Sequence, residues 1–585
     1  MKLDIQDIEA NYINQKLDRV ERLNKLNRIK PESVEIITFD KEYTTYFEHR
    51  DAYCDIIRNL KDKDLRHAIA IVGLRRTGKS IILNQLHLEC NEFGISESNI
   101  LHISLGAKVE DKSVSRNEID IARLNNKKVV FPTLQDINEF IQKARAIMDL
   151  KCLLIDEITL CEDLILGGKS FIDGLLDSGI KVVLAGTESL SLQLANEQSL
   201  YTRLILEDIT YIPFAEYCRL KKISIKTNEE KKIAMDKYIQ HGNVLDDTID
   251  VDDRYLEDAL GINVALSIIN SDNVNFYDYE DNYTELVQLI IKYYKLIGDS
   301  ITVPAVNKAI SRADISRAIE NENKRRKENQ EAQINFLKPR RTNLAVTGAE
   351  RYFENYNLNF DVSQIKLSDK QLEVIDNQFS KMGLLYNLST IPKNDPDDIC
   401  EIHSLAYNIT LSTIQSLVGN DYNISDSDAE ILMKEMESAL YGRLLENIIG
   451  LQYIKAIESK NKLLKTIKSY NNQFNVERKC TNRYMYKYNN KVEIDGNVYK
   501  AEVDLVLNED AIKLIEIKKS SIVDEHQTRW LNNETVVQEI SNKISTDKKI
   551  EKFVYYLGES KDVDGIKYIN VVDKLIEHYN LYLKK

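Results

Sequence analysis

Several things are scarce in this chain, and each scarcity removes a class of protein. No apolar run approaches the ~18 residues that a membrane-spanning helix needs, so no membrane partner is expected. The seven cysteines (Cys54, Cys90, Cys152, Cys161, Cys218, Cys400 and Cys480) are scattered, odd in number and never paired as CxxC. That pattern argues against a disulfide framework or zinc site and for a reducing compartment, so a cytoplasmic location is expected. Only seven prolines occur and there are no Gly/Ser tracts, so the domains should pack directly rather than hang on long linkers. The first residues, MKLDIQDIEANYINQKLDRVERL, alternate charge with apolar side chains and lack the continuous hydrophobic stretch of a secretory signal. A basic excess is missing too. A net charge of −14 and a pI near 5.3 exclude indiscriminate coating of nucleic acid, though a local basic surface is still allowed.

What is present is an ordinary globular composition, 43% hydrophobic and 29% charged. At 585 residues the chain is too long for one core and suggests about three or four domains. No internal repeat is visible. The reading divides it into a charged helical arm (1–35), an α/β domain (36–225), a helical region (226–430) and a second α/β pattern (431–585). In the second segment short Val/Ile/Leu runs alternate with helical stretches, as in a parallel sheet: 67–73, 99–105, 151–157, 181–187 and 203–212. Their continuous apolar character predicts strands buried on both faces. In the third segment, 286–298 and 305–330 read as helices. Residues 366–391 read as helix, glycine break at Gly383 and strand, a layout that suits a winged helix, with packing the commoner role and DNA binding the alternative. The KRRK run (Lys324–Lys327) reads as a solvated helix face. The fourth segment opens with a helix (429–456), followed by strand-like RYMYKYNN, KVEIDG, AEVDLVL, IKLIEIKK and KFVYYLG.

One motif carries chemistry at once. Gly73-Leu74-Arg75-Arg76-Thr77-Gly78-Lys79-Ser80 satisfies GxxxxGK[ST], follows an apolar strand and precedes the helical IILNQLHLEC. Glycines let backbone N–H groups converge on phosphate oxygens, and the following helix adds its dipole. Lys79 is expected to reach the β- and γ-phosphates of ATP, and Ser80 to ligate Mg²⁺. A second signal is LLIDE (153–157), an apolar strand ending in two acids: Asp156 for the Mg²⁺ shell, Glu157 to polarise the attacking water. Thr187, after the strand KVVLAG, is a candidate γ-phosphate sensor, with a turn-forming threonine as the alternative. Arg203 is a candidate for stabilising transition-state charge, in cis or from a neighbouring subunit of a homo-oligomer, with a surface arginine as the alternative.

The order GLRRTGKS, LLIDEI, KVVLAGTESL and YTRLILEDITYIPFAEY closely resembles a prokaryotic family of AAA-like P-loop ATPases. That family has a double arginine in the phosphate loop, a catalytic strand ending in Asp-Glu and a closing Pro-aromatic-x-Glu-aromatic element, here Pro213–Tyr217. It usually has Gly-Arg where this chain has Thr202-Arg203, and Gly-Ser where it has Gly186-Thr187. The likeness is strong over roughly 40–225 and faint in the middle third, through Tyr238–Gly242.

The family's second domain resembles the restriction-endonuclease fold. Here AEVDLVL sets Asp504 among apolar neighbours, and in IKLIEIKKS strand alternation puts Glu516 and Lys518 on one face. The set matches PD-(D/E)xK, with Val503 in place of the leading proline. Asp504 and Glu516 are expected to hold Mg²⁺ or Mn²⁺, with Glu446 completing the shell and Lys518 orienting water or offsetting charge. A half-exposed strand with Glu and Lys on its wet face is the plainer alternative for Glu516 and Lys518. Asp504 fits that alternative poorly, because Asp is disfavoured in strands. A basic stretch (Lys460, Lys462, Lys465, Lys468, Arg478, Lys479, Arg483, Lys487) interleaved with Tyr470, Tyr484, Tyr486 and Tyr488 suits a nucleic-acid channel. In a chain with 31 tyrosines, coincidence competes.

The leading expectation is an ATP-hydrolysing protein coupled to a DNA-binding or DNA-cleaving domain, in defence against foreign DNA or in genome maintenance. The alternative is a nucleotide-dependent switch or assembly scaffold whose nuclease-like domain is not catalytic. A DNA-binding regulator acting through 366–391 is third.

Overall fold

A computed structural model describes residues 18–39, 48–242 (apart from 74–76, 110–111, 115–126, 128, 162 and 187–202), 245, 312–329, 385–400 (apart from 393–395), 426–460 and 465–584 (apart from 471–474, 481–483 and 495). The chain divides between Thr210 and Tyr211 into two compact units.

The first unit begins with a helix over 18–29, α1. After it come β1 (Val34–Ile36), α2 (Asp51–Lys61), β2 (Ala68–Val72), α3 (Lys79–Leu88), β3 (Ile100–Leu105) and a small antiparallel sheet of β4 (Ala107–Val109), β5 (Lys112–Val114) and β6 (Val129–Val130). Then follow α4 (Leu134–Arg145), β7 (Cys152–Asp156), α5 (Leu164–Asp177), β8 (Lys181–Gly186) and β9 (Leu204–Asp208). The main sheet has the order β1-β3-β7-β8-β2-β9, parallel throughout except for the β1 edge.

Its five parallel strands coincide with the apolar runs, for a visible reason. In β2, Ala68, Ala70 and Val72 enter one core with Leu153, Ile155, Val182 and Leu184. Ile69 and Ile71 enter the opposite core with Leu154, Val183 and Ala185. With both faces buried, every position is apolar, and each large side chain contributes roughly 1.5–3 kcal/mol. Helix α4 starts on a reciprocal cap in which Thr133 and Asp136 bond each other's backbone.

The described part of the 1–35 segment packs into the first unit. Leu26 and Val34 are buried in the first of these cores, and β1 pairs with β3, because the charged helix still carries an apolar stripe to bury.

The second unit contains α6 (Phe214–Leu220), α7 (Asn228–His241), α8 (Arg312–Glu328), β10 (Leu385–Ile391), β11 (Pro396–Cys400) and the long α9 (Asp426–Lys460). Next come β12 (Lys465–Tyr470), β13 (Asn475–Cys480), β14 (Met485–Ile494), β15 (Asn497–Asn508) and β16 (Ile512–Lys518). The rest is α10 (Glu525–Asn532), α11 (Glu534–Ile544), β17 (Ile550–Tyr556), β18 (Lys561–Val563), β19 (Ile566–Asn570) and α12 (Val571–His578).

Ten strands form one mixed sheet, in the order β12-β13-β10-β14-β15-β16-β17-β19-β18, with β11 on β10. The strand end of the winged-helix candidate, β10, is thus an interior strand between β13 and β14. Its helix and Gly383 lie outside the described residues, as do 286–298. The stretches RYMYKYNN and KVEIDG share a single strand, β14, over Met485–Ile494. The KRRK run is more than a solvated face: Arg326 is bonded to Glu322 at 2.9 Å and to Asp428 at 2.7 Å.

The Pro213–Tyr217 element belongs to the second unit. Phe214 and Tyr217 pack on the buried Tyr238 of α7, whose hydroxyl donates to Ile212 O at 2.6 Å.

Candidate active sites

In the first unit the chemistry gathers at the carboxyl ends of the parallel strands. Val72 ends β2 beside Gly186 of β8, and the phosphate loop follows directly. Gly78 has φ 100°, a left-handed conformation that favours glycine, and from it Lys79 opens α3. At Gly73 a Cβ would lie 3.0 Å from the Ile209 side chain and 3.2 Å from Thr210 N, a tighter approach than most side chains accept, which favours glycine here. The Lys79 side chain is buried, and its amine reaches back across the loop to Gly73 O at 2.8 Å.

Asp156, at the end of β7, is hydrogen-bonded to Ser80 and accepts from Glu157 N at 2.9 Å. Burial, then the neighbouring Glu157 charge, pushes its carboxyl up to about 6, against the pull of Ser80 and Lys79. Glu157 itself sits at φ 55°, ψ 36°, a left-handed conformation unusual for a residue with a side chain. Such strain concentrates at functional sites, and here it turns the chain sharply straight after the strand. Ser80 and Asp156 supply the hard oxygen donors that suit Mg²⁺, which when bound offsets phosphate charge.

A residue the sequence reading missed supports the loop from behind. Arg50, just before α2, is only 4% exposed and donates from Nη1 to Thr77 O at 2.5 Å and to Ile209 O at 3.3 Å.

Five predicted members of this site fare differently. Leu74, Arg75, Arg76 and Thr187 lie outside the described residues. Arg203 requires a correction for its role in cis. Its carbonyl accepts from Ala68 N at 2.9 Å, at the amino end of β2, about a strand length (~16 Å) from the phosphate loop. Its guanidinium is paired with Asp173 at 2.5 Å. The parallel register of β9 with β2 puts it at the wrong end of the sheet.

In the second unit the predicted residues converge. Asp504 Oδ2 accepts from Ile517 N at 2.7 Å and lies 3.2 Å from the Lys518 amine, which also contacts Glu516 Oε2. A bulge delivers Asp504: Tyr486 pairs with Val506 and Tyr488 with Val503, so Lys487 alone opposes Asp504 and Leu505. Bulges of this kind re-aim side chains next to active sites.

Glu516 is 3% exposed, and its Oε1 has no hydrogen-bond partner among the described residues. Burial, then the Asp504 charge, holds its carboxyl well above the usual range. Burial alone would lower the Lys518 amine, but Asp504 and Glu516 outweigh it and pull the value up.

Glu446 on α9 is close enough for Asp504 to act on it. Burial and that charge push it up to about 7, opposed by Lys487, whose amine lies 3.3 Å from Glu446 and 3.3 Å from Glu502. Glu446 was expected to complete a three-carboxylate shell. Among the described residues no group of three His, Cys, Asp or Glu side chains stands close enough to hold a metal ion; Glu446 is paired with Lys487, and Lys518 with both Asp504 and Glu516. Asp504 and Glu516 still supply oxygen donors that fit a hard divalent ion. The side chains of Lys460, Lys462, Lys465, Lys468, Arg478, Lys479, Arg483 and Tyr470 lie outside the described residues.

No curated protein matches the sequence. The chain is similar in structure to the Aeropyrum pernix Orc1 protein in complex with DNA, at 11% identity over 68% of this chain and 94% of that one, with a TM-score of 0.22. It is similar to the S. cerevisiae Hsp104–ADP complex at 13% identity over 70% of this chain and 50% of that one, again with a TM-score of 0.22. Likenesses this loose carry no argument. The sequence over residues 65–218 matches the AAA domain family. That match spans β2, the phosphate loop, β7 with its two acids, and β9. The protein therefore carries an AAA-like P-loop ATPase domain.

Proposed function

We propose that ATP turnover at Lys79, Ser80, Asp156 and Glu157 is coupled to a restriction-endonuclease-like domain that binds or cuts DNA, with the domain limits 36–225 and 431–585 read from the sequence. The observation that carries this reading is the convergence of Asp504, Glu516 and Lys518, with Glu446 nearby. In the ATPase site Lys79 neutralises phosphate charge, Ser80 and Asp156 hold the ion, and Glu157 orients water. In the second site Asp504 and Glu516 hold Mg²⁺ or Mn²⁺, which when bound polarises the scissile phosphate, while Lys518 orients water and offsets developing charge. A role in defence or genome maintenance, a cytoplasmic location, and a homo-oligomer in which Arg203 acts on a neighbour's site belong to the same proposal.

One observation favours a second reading, a nucleotide-dependent switch or scaffold without cleavage. Lys518 closes an ion pair with both acids, an arrangement that is self-sufficient without a metal.

The test is incubation of the pure protein with linear, circular and single-stranded DNA, with Mg²⁺ or Mn²⁺, with and without ATP. Asp504→Ala should abolish cleavage and leave ATP hydrolysis intact. Lys79→Ala should abolish nucleotide binding or turnover, and Glu157→Gln should bind ATP without hydrolysing it. Cleavage by Asp504→Ala at the wild-type rate would refute the nuclease assignment. Absence of cleavage on every DNA would favour the scaffold. Wild-type turnover by both ATPase variants would overturn their assigned roles.

A further inference from the structure

We propose that Arg50 is a positioning residue for ATP hydrolysis, fixing the phosphate loop in the conformation that receives the phosphates. Arg50 lies outside the GxxxxGKS motif, well before it in sequence, yet its guanidinium bonds the loop directly at Thr77 O. The peptide unit makes that contact consequential. In a planar trans peptide the C=O of one residue and the N–H of the next point in opposite directions. Holding Thr77 O toward Arg50 therefore turns Gly78 N–H the other way, toward the side where phosphate oxygens are bound.

The anchor for this clamp is the sheet. The same Nη1 donates to Ile209 O at 3.3 Å, and Ile209 N is bonded to Val72 O at 2.9 Å, so one cation ties the loop to the ends of β9 and β2. Arg50 is itself held by α2, whose Ala52, Tyr53, Ile56, Ile57 and Leu60 are buried in the core shared with α3. Tyr53 donates to Glu89 at 2.5 Å just past the end of α3, and His49 pairs with the same carboxylate at 2.9 Å. Burying a guanidinium is unfavourable unless its donors are engaged, and an apolar residue would fill the volume more cheaply. Its value lies in what it orients. The positive charge behind the loop also favours a bound anion.

The experiment compares the full-length chain with Arg50→Ala and Arg50→Lys. ATP affinity is measured by calorimetry, KM and kcat by phosphate release, and the melting of the nucleotide-free protein by circular dichroism. Arg50→Ala should weaken ATP binding about tenfold, the effect expected for one hydrogen bond from a charged donor. Its KM should rise, measured well below its melting temperature. Arg50→Lys keeps the charge, but its compact ammonium on a flexible, differently shaped stem does not set one donor nitrogen against both carbonyls, so it should retain the fold and lose about threefold to fivefold in affinity. A merely structural role would lower the melting temperature and leave the KM of the folded protein unchanged. ATP affinity and KM at wild-type values in Arg50→Lys, with the same in Arg50→Ala if it folds, would overturn the proposal.

Discussion

Acidification should weaken the ATPase unit through two buried imidazoles. His87 on α3 and His102 on β3 are 7% and 2% exposed, with their Nδ1 atoms 3.4 Å apart and Phe39 against both rings. Burial lowers His87 from 6.5 to about 4 and, with the His87 charge adding to it, lowers His102 to about 3. The unfolded chain therefore takes up protons first as the pH falls. The stability these groups allow is complete above pH 6.5 and is lost as the pH drops toward the folded values. At about 1.4 kcal/mol per pH unit, the fall from pH 7 to 5 removes about 2 kcal/mol through each histidine.

Asp156, raised to about 6, responds with the opposite sign, since its folded form binds the proton more tightly. The informative quantity is thus the difference between His87→Gln and the wild type. Hydrogen exchange in increasing urea, read by mass spectrometry on peptides covering 79–88 and 100–105, gives the stability of this unit. The variant should lose about 2 kcal/mol less than the wild type between pH 7 and 5. Equal losses would refute the buried neutral pair.

The second unit can be followed alone, because the chain's single tryptophan, Trp530, is buried in its core. Glu446 titrates at about 7 rather than 4.5, so the folded state is progressively disfavoured as the pH rises between those values. With 27% of its side chain exposed, the penalty is discounted to about 2 kcal/mol, and Glu446→Gln in EDTA should stabilise the unit by that amount at pH 8 and not at all at pH 4.5. A pH-independent difference in the urea midpoint of Trp530 fluorescence would contradict this. Gly558→Ala should destabilise the same unit by about 2 kcal/mol or more, since a Cβ there meets the Tyr556 ring and Ser521 O at 2.5 Å. An unchanged midpoint would show that the turn yields.

The parts that were legible in the sequence are those whose cause is local. The five parallel strands announce themselves because burial on both faces makes every residue of β2 apolar, and all of β7 but Asp156 and all of β8 but Lys181. The phosphate loop is legible because Gly78 and Lys79 answer a local backbone requirement. Asp504, Glu516 and Lys518 were found by strand parity, although the bulge that aims Asp504 depends on the register of β14 against β15 and leaves no trace in spacing. Arg50 was missed because its partners are two carbonyls, which any sequence supplies. For Arg203 the reading in cis was not decidable from sequence, because its neighbourhood says nothing about which end of the sheet a parallel strand begins at. The role of β10 as an interior strand was hidden for a related reason: its neighbours β13 and β14 come much later in the chain.

The placement of β2 between β8 and β9 sets a schedule for synthesis. Ile69 pairs with Val183 on one side and Ile205 on the other, so the strand that carries the phosphate loop has neither neighbour when it leaves the ribosome. The clamp of Arg50 on Ile209 waits just as long. A nascent chain halted before β9 emerges holds the complete GxxxxGKS motif and the acids Asp156 and Glu157, yet has an open sheet edge where the loop must be braced. Non-local pairing of this kind is slow and leaves apolar edges uncovered meanwhile. ATP capture by ribosome-bound chains should therefore begin only once the residues through Ile209 have cleared the exit tunnel, which makes nucleotide a reporter of completed translation of this unit.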